Sequence, residues 1–268
     1  MTNPEFVTNP EPEQARLMLY ELGSRRLTEL PVELPELARW SRDGNRLLVR
    51  SSTEEARRYD LYDTASWQRV RSYPGLIRSI VGSDTAVLYV FRDERVLALG
   101  NPDTRGDDFP QGSNLYLFSG SRWQPYTTTG DVITFWVAPD ESRVRWVRLQ
   151  GYKWLAVFES PLAQRTPRRL ALLEDSTFTE EGYAYRFSPD GTKLAWGDAE
   201  TIYVLNLKNG TVRRLTMFDL QPQKVAPPQE GASASRQDVM GFDWRDNDTL
   251  VIQRGNEIEQ VSVQVLSQ

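Results

Sequence analysis

YAYRFSPDGTKLAWGDAETIYVLNLKNGTVRRLT, residues 183–216, holds four short runs of alternating apolar and polar residues separated by three turn signals. The runs cover 183–187, 193–196, 201–207 and 212–216, and the punctuation is Ser188-Pro189-Asp190-Gly191, Gly197-Asp198 and Asn209-Gly210. Gly, Asn and Asp accept the backbone angles that tight hairpins need, so the stretch is expected to be four antiparallel strands, one blade of a β-propeller.

The same pattern recurs outward from this stretch. Aligned on the residue before the turn, the repeats fall at Trp40, Val90, Val137, Phe187 and Trp244, in steps of 50, 47, 50 and 57 residues. Periods of that size with four strands per repeat are the mark of a propeller. In the first repeat the inner hairpin turns at Ser41-Arg42-Asp43-Gly44, and in the third at Ala138-Pro139-Asp140-Glu141. The second repeat is the least regular. Its inner hairpin is read either as 76–81 with 87–91, or as 86–91 with 95–99 across Arg92-Asp93-Glu94, and the second reading spaces the repeats more evenly.

A last inner pair follows at 241–244 and 249–253, with a further strand over 258–265. Residues 15–30 reproduce the outer half of the central repeat, so the N-terminal strands are expected to pair with the C-terminal ones and close the ring. The fold class is therefore all-β, a propeller of five four-stranded blades, with six blades or a truncated ring as the alternative. Residues 1–14 repeat Thr-Asn-Pro-Glu and carry little apolar surface to offset the entropy of ordering, so they read as a flexible tail or linker before a single domain over 15–268.

Composition excludes more chemistry than any motif suggests. The chain of 268 residues contains no Cys and no His, which removes Ser-His and Cys-His nucleophile pairs, His-ligated haem and the usual zinc sites. No cofactor and no metal site are expected. A net charge of −5, from 32 Lys+Arg against 37 Asp+Glu, does not make a phosphate-seeking surface, so nucleic acid is not an expected partner. No apolar run reaches the length of a membrane span, and a monomer without membrane insertion is expected.

The turn aspartates Asp43, Asp140, Asp190 and Asp246 read as structural acceptors for turn amides. The aromatics beside them, Trp40, Trp136, Phe187 and Trp244, read as packing between blades. The basic pairs Arg25-Arg26, Arg57-Arg58, Arg168-Arg169 and Arg213-Arg214 mostly alternate on outer strands, where charge guards an exposed edge.

Candidate site residues come from the irregular connections. The insertions at 101–113, 149–152, 197–200 and 219–240 all fall between second and third strands or before an innermost strand, which share one face of a propeller. Loops held by a rigid scaffold carry binding. On that face Asp103, Arg105, Asp107, Asp108 and Phe109, together with Tyr152 and Trp154, combine charge with aromatic anchors and are the expected partner-binding residues. Four innermost strands are preceded by an acid, Glu36, Asp131, Glu181 and Asp238. A pair of such carboxylates suffices for glycoside hydrolysis, and a ring of them for Ca2+. Both rank below a non-catalytic module that binds a protein or peptide.

The aromatic-Ser-Pro-Asp-Gly turn at 187–191 resembles the WD40-like repeat of the Tol-system periplasmic propeller and of the propellers attached to prolyl peptidases. The resemblance is close only over 185–196. It implies a bacterial-type propeller and favours an extracytoplasmic setting, while none of the partner-binding motifs of that family is present to transfer.

Overall fold

The computed structural model describes residues 17–21, 25–30, 35–52, 57–74, 88–100, 113–150, 153–174, 184–197, 201–216, 239–254 and 257–263. The expected tail at 1–14 lies outside them. Two compact units divide the chain: Met1–Ile77 with Leu88–Leu97 and Phe118–Arg122, and Arg78–Val87 with Ala98–Leu117 and Trp123–Gln268.

The strands are antiparallel and follow the expected repeats. β1 (Met18–Glu21) and β2 (Arg26–Glu29) form a hairpin. The first full sheet is β3 (Pro35–Trp40), β4 (Arg46–Ser52), β5 (Arg57–Asp63) and β6 (Arg69–Pro74), in chain order. The second is β7 (Leu88–Val90), β8 (Val96–Gly100), β9 (Asn114–Ser119) and β10 (Arg122–Pro125), which agrees with the hairpin across Arg92-Asp93-Glu94. The third is β11 (Val132–Val137), β12 (Arg143–Gln150), β13 (Trp154–Pro161) and β14 (Arg168–Glu174). The fourth is β15 (Ala184–Phe187), β16 (Lys193–Gly197), β17 (Thr201–Asn206) and β18 (Val212–Thr216). A three-stranded sheet of β19 (Val239–Trp244), β20 (Thr249–Arg254) and β21 (Glu257–Ser262) ends the chain. Among the described residues β1–β2 and β19–β21 are hydrogen-bonded as sheets of their own, and they belong to different units.

Burial runs from the first strands of each sheet to the last. All five residues of β8 and all five of β16 are buried, because a second strand is covered on both faces. Outer strands such as β14 and β18 are largely exposed. Between the third and fourth sheets, Val147, Leu149, Leu155 and Val157 meet Tyr185, Leu194, Trp196 and Leu205. The opposite face of the fourth sheet, with Ala195, Ile202 and Val204, meets Phe242, Trp244, Leu250 and Ile252. Successive residues thus serve opposite neighbours, which is why these strands read as nearly continuous apolar runs. In the other unit Leu30 covers Leu47, Val49 and Tyr62, with Leu17 and Leu19 of the β1–β2 hairpin packed on the same cluster.

The inner turns share one conformation. The amide of the fourth turn residue donates to the carbonyl of the first: Gly44 to Ser41, Glu94 to Phe91, Glu141 to Ala138 and Gly191 to Ser188, at 2.7 to 3.0 Å. That fourth residue has φ of +74°, +64°, +58° and +70° in turn, so two glutamates hold a left-handed conformation that glycine takes at less cost.

Candidate functional site

The turn aspartates are acceptors, as read from the sequence. Asp43 takes the Ser41 hydroxyl at 2.7 Å and the Asn45 amide at 3.2 Å. Asp140 takes the hydroxyl and amide of Ser142, and Asp190 those of Thr192 together with the Ser188 hydroxyl. Asp246 takes the Asp248 amide at 2.9 Å. These donors hold each carboxyl below its ordinary pKa: chiefly the Ser41 hydroxyl for Asp43, the Ser142 hydroxyl for Asp140 and the Asp248 amide for Asp246. At Asp190 burial alone would raise the value, and the hydrogen bonds from Thr192 and Ser188 together outweigh it.

Three of the turn aromatics behave as expected. Trp244 donates its indole N–H to Arg186 O at 3.0 Å across to the fourth sheet, Trp136 donates to Pro189 O at 3.1 Å, and Phe187 packs into the core between the third and fourth sheets. Trp40 departs from the expectation. It is 50% exposed and meets Trp67, in the connection between β5 and β6, edge-on, with centroids 6.1 Å apart. Not every basic pair guards an edge either. Arg58 lies on a third strand and its Nε bonds the fully buried Asp60 at 2.7 Å, where Ser72 is a second donor, so it neutralises a core carboxylate.

Antiparallel register puts the longer connections at one end of each sheet. In the fourth sheet Ala184, Gly197 and Ile202 lie side by side, so entry to the first strand and the link from second to third leave together. In the third sheet Gln150, Trp154 and Glu174 align at that end, and Val132 pairs with Arg148 nearby. Trp154 is half-buried there, and the Lys153 ammonium sits 5.5 Å from its ring centre while bonding Glu174 at 2.7 Å. One aromatic edged by a cation and an acid is therefore present at this end. Asp103, Arg105, Asp107, Asp108, Phe109 and Tyr152 fall outside the described residues.

Of the four acids, Asp131 alone is described with its side chain. Both its oxygens bind Arg148, at 2.7 Å to Nε and 2.8 Å to Nη2, and the Arg148 guanidinium lies 5.3 Å from the Phe158 ring centre. A carboxylate held bidentately by an arginine 17 residues on fixes the entry to β11. Glu36 lies on β3, its side chain outside the described residues, and Glu181 and Asp238 fall outside altogether. Among the described residues no group of three or more acids is placed to hold a metal. Arg148 was missed by the sequence reading, although arginines recurring at 143, 145 and 148 in an apolar strand were a usable signal.

Repeated four-stranded sheets packed face to face through both surfaces of their middle strands match solved propeller structures. The chain folds as a β-propeller. It is similar to TolB from Acinetobacter baumannii, with a TM-score of 0.56 and 14% identity over 92% of this chain and 57% of that one. It is similar to an oligogalacturonate lyase in complex with manganese, with a TM-score of 0.61 and 14% identity over 91% of this chain and 70% of that one. The β-propeller domain of the Trilobed protease from Pyrococcus furiosus matches with a TM-score of 0.54 and 11% identity, over 97% of this chain and 78% of that one. No family model and no curated protein matches the sequence. The chain spans 57% of the TolB it resembles. At such identities the likeness establishes fold, and propellers of this kind include binding scaffolds and enzymes alike.

Proposed function

We propose that this propeller is a non-catalytic interaction module, binding a protein or peptide at the sheet ends where its longer connections leave. The observation that carries the reading is the Trp154 end of the third sheet. There an aromatic ring is flanked by the exposed Lys153–Glu174 pair, and the nearest candidate acid, Asp131, is committed to Arg148. An aromatic anchor inside a charged rim is the composition of an interface hot spot.

The test is binding of a purified partner by isothermal titration to Phe109→Ala, Tyr152→Ala and Trp154→Ala, with Asp43→Asn and Asp190→Asn as controls at the opposite sheet ends. Loss of a buried anchor lowers affinity by about 2 kcal/mol, roughly thirtyfold. Equal binding by all three folded variants, with loss at the aspartate turns, overturns the assignment. Hydrolysis of a plant-type polysaccharide that disappears in Asp131→Asn would replace the module by an enzyme.

A further inference from the structure

We propose a second binding surface, separate from the loop end: the outer edge of β14 takes an extended, acidic segment of a protein partner, whose carboxylates meet Arg143 and Arg168. The observation is a convergence of cations on one acid. Glu159, 12% exposed on β13, is bonded by Arg145 Nη2 at 2.7 Å and Nε at 2.8 Å, and is approached by Arg168 Nη2 at 3.2 Å and Arg143 Nη1 at 3.8 Å. Three guanidiniums around one carboxylate leave a local excess of positive charge, which Asp140, acting on Arg143, offsets in part. Among the described residues Glu159 is the carboxylate that Arg143 and Arg168 both reach, and Asp140 is already bonded to the Ser142 amide and hydroxyl.

The three arginines are not equivalent. Arg145 is held, since it also donates to Gly191 O and lies 5.2 Å from the Trp136 ring centre. Arg143 and Arg168 are loosely held, with side chains 49% and 74% exposed. Each guanidinium carries five donors, so most of those on Arg168 and Arg143 are left over for a second anion. Arg169, next on β14 and exposed, pairs with Phe158 and faces the other side of the sheet, so it takes no part in the cluster.

The edge supplies the rest of the chemistry. β14 is the last strand of its sheet, so the main-chain groups on its outer side pair with no strand among the described residues. An added strand gains affinity from main-chain hydrogen bonds and selectivity from its side chains. Arginines that repel a basic strand attract an acidic one, so the charge that guards this edge against most chains also selects for one kind. β18 is the internal comparison, because it is an outer strand that also carries two adjacent arginines, Arg213 and Arg214.

The test uses fluorescein-labelled ten-residue peptides of alternating Glu and Val, the same peptide with alternate residues replaced by Pro, and a Lys-Val counterpart, followed by anisotropy at low salt. Saturable binding of the acidic peptide alone is expected, weakened at least about tenfold in Arg143→Gln/Arg168→Gln and by less than about twofold in Arg213→Gln/Arg214→Gln, because paired rather than diffuse charge sets affinity. Arg168→Gln by itself, at a side chain 74% exposed, keeps the test open if the double variant folds poorly. The proposal is overturned by equal loss in the two double variants, by equal binding of the Pro-containing peptide, or by displacement with inorganic phosphate at matched charge. A self-association of the parent chain that vanishes in Arg168→Gln would give the edge to a second copy and also overturn it. None of these outcomes bears on the loop end, where Trp154 variants bind the acidic peptide as the parent does.

Discussion

The Ser41–Asn45 turn in one unit and the Ser188–Thr192 turn in the other are built alike and situated differently. Each closes with the glycine amide on a serine carbonyl, at 3.0 Å for Gly44 and 2.7 Å for Gly191, and each has a Ser–Asp side-chain bond of 2.7 Å. Their glycines have φ of +74° and +70°. A Cβ on Gly44 would meet nothing within 4 Å, whereas one on Gly191 would lie 2.6 Å from the Trp136 ring. The second turn is clasped from two sides. Trp136 and Arg145 bind its carbonyls from the third sheet, while Asn247 Oδ1 accepts the Asp190 amide at 2.9 Å and Lys193 reaches Asn247 O and Asp248 from the fourth sheet. Local chemistry builds the same turn twice, and neighbours turn one of them into a joint between three sheets.

The largest expected effect is that of Gly191→Ala. Left-handed strain of about 1–2 kcal/mol adds to an overpacking cost of about 1–3 kcal/mol, because the new methyl meets an indole held by its own hydrogen bond. Equilibrium urea unfolding should show a loss of about 2–5 kcal/mol. A loss no greater than that of Gly44→Ala would show that Trp136 yields freely.

Next in size is Trp136→Phe, which removes the donor to Pro189 O and should cost about 1 kcal/mol. The smaller ring also makes room for a methyl. Combined with Gly191→Ala, it should recover at least about 0.5 kcal/mol relative to the sum of the single changes, the sign of a shared contact. Strict additivity in the double-mutant cycle would break the proposed clasp.

Gly44→Ala should cost about 1 kcal/mol, the low end of that backbone strain and nothing more, since its Cβ lies in open space. Glu94 and Glu141 already hold this conformation, so Glu141→Gly removes the same strain, and thermal unfolding should place its midpoint at or above that of the parent.

The smallest effect is read from the pH dependence of stability. The lowered values of Asp43, Asp140, Asp190 and Asp246 mean that their ionised forms are preferred in the folded state. Their contribution is complete above the unfolded carboxylate value of about 3.9 and is lost as the pH falls through the lower native values. Asp190→Asn should therefore lower stability at neutral pH, where the ionised form contributes, and flatten the acid limb of the stability profile. An unchanged slope below about pH 4 would place the acid sensitivity elsewhere.

The sequence reading captured the strand count of the middle repeats, the inner hairpin of the second and the role of the turn aspartates. Each of these rests on residues within about ten positions of one another, where alternation and turn chemistry act locally. Trp40 and Trp136 were read alike because each lies at the end of an inner strand beside a turn of one kind. One is half exposed against Trp67 and the other donates to a carbonyl 53 residues away, a difference that no local pattern carries.

The sequence by itself therefore determined the repeat, the antiparallel hairpins, the turn acceptors and the absence of imidazole and thiol chemistry, since these follow from residue type and short spacing. Tertiary structure alone decided that Asp131 is bound by Arg148, 17 residues on, and that Gly191 cannot accept a methyl. It also decided that Arg143 and Arg145 of β12 and Arg168 of β14 meet at Glu159 on the strand between them. The physical reason is common to all three. Hydrogen-bonded register and sheet packing bring together groups whose separation along the chain has no fixed relation to their distance in space.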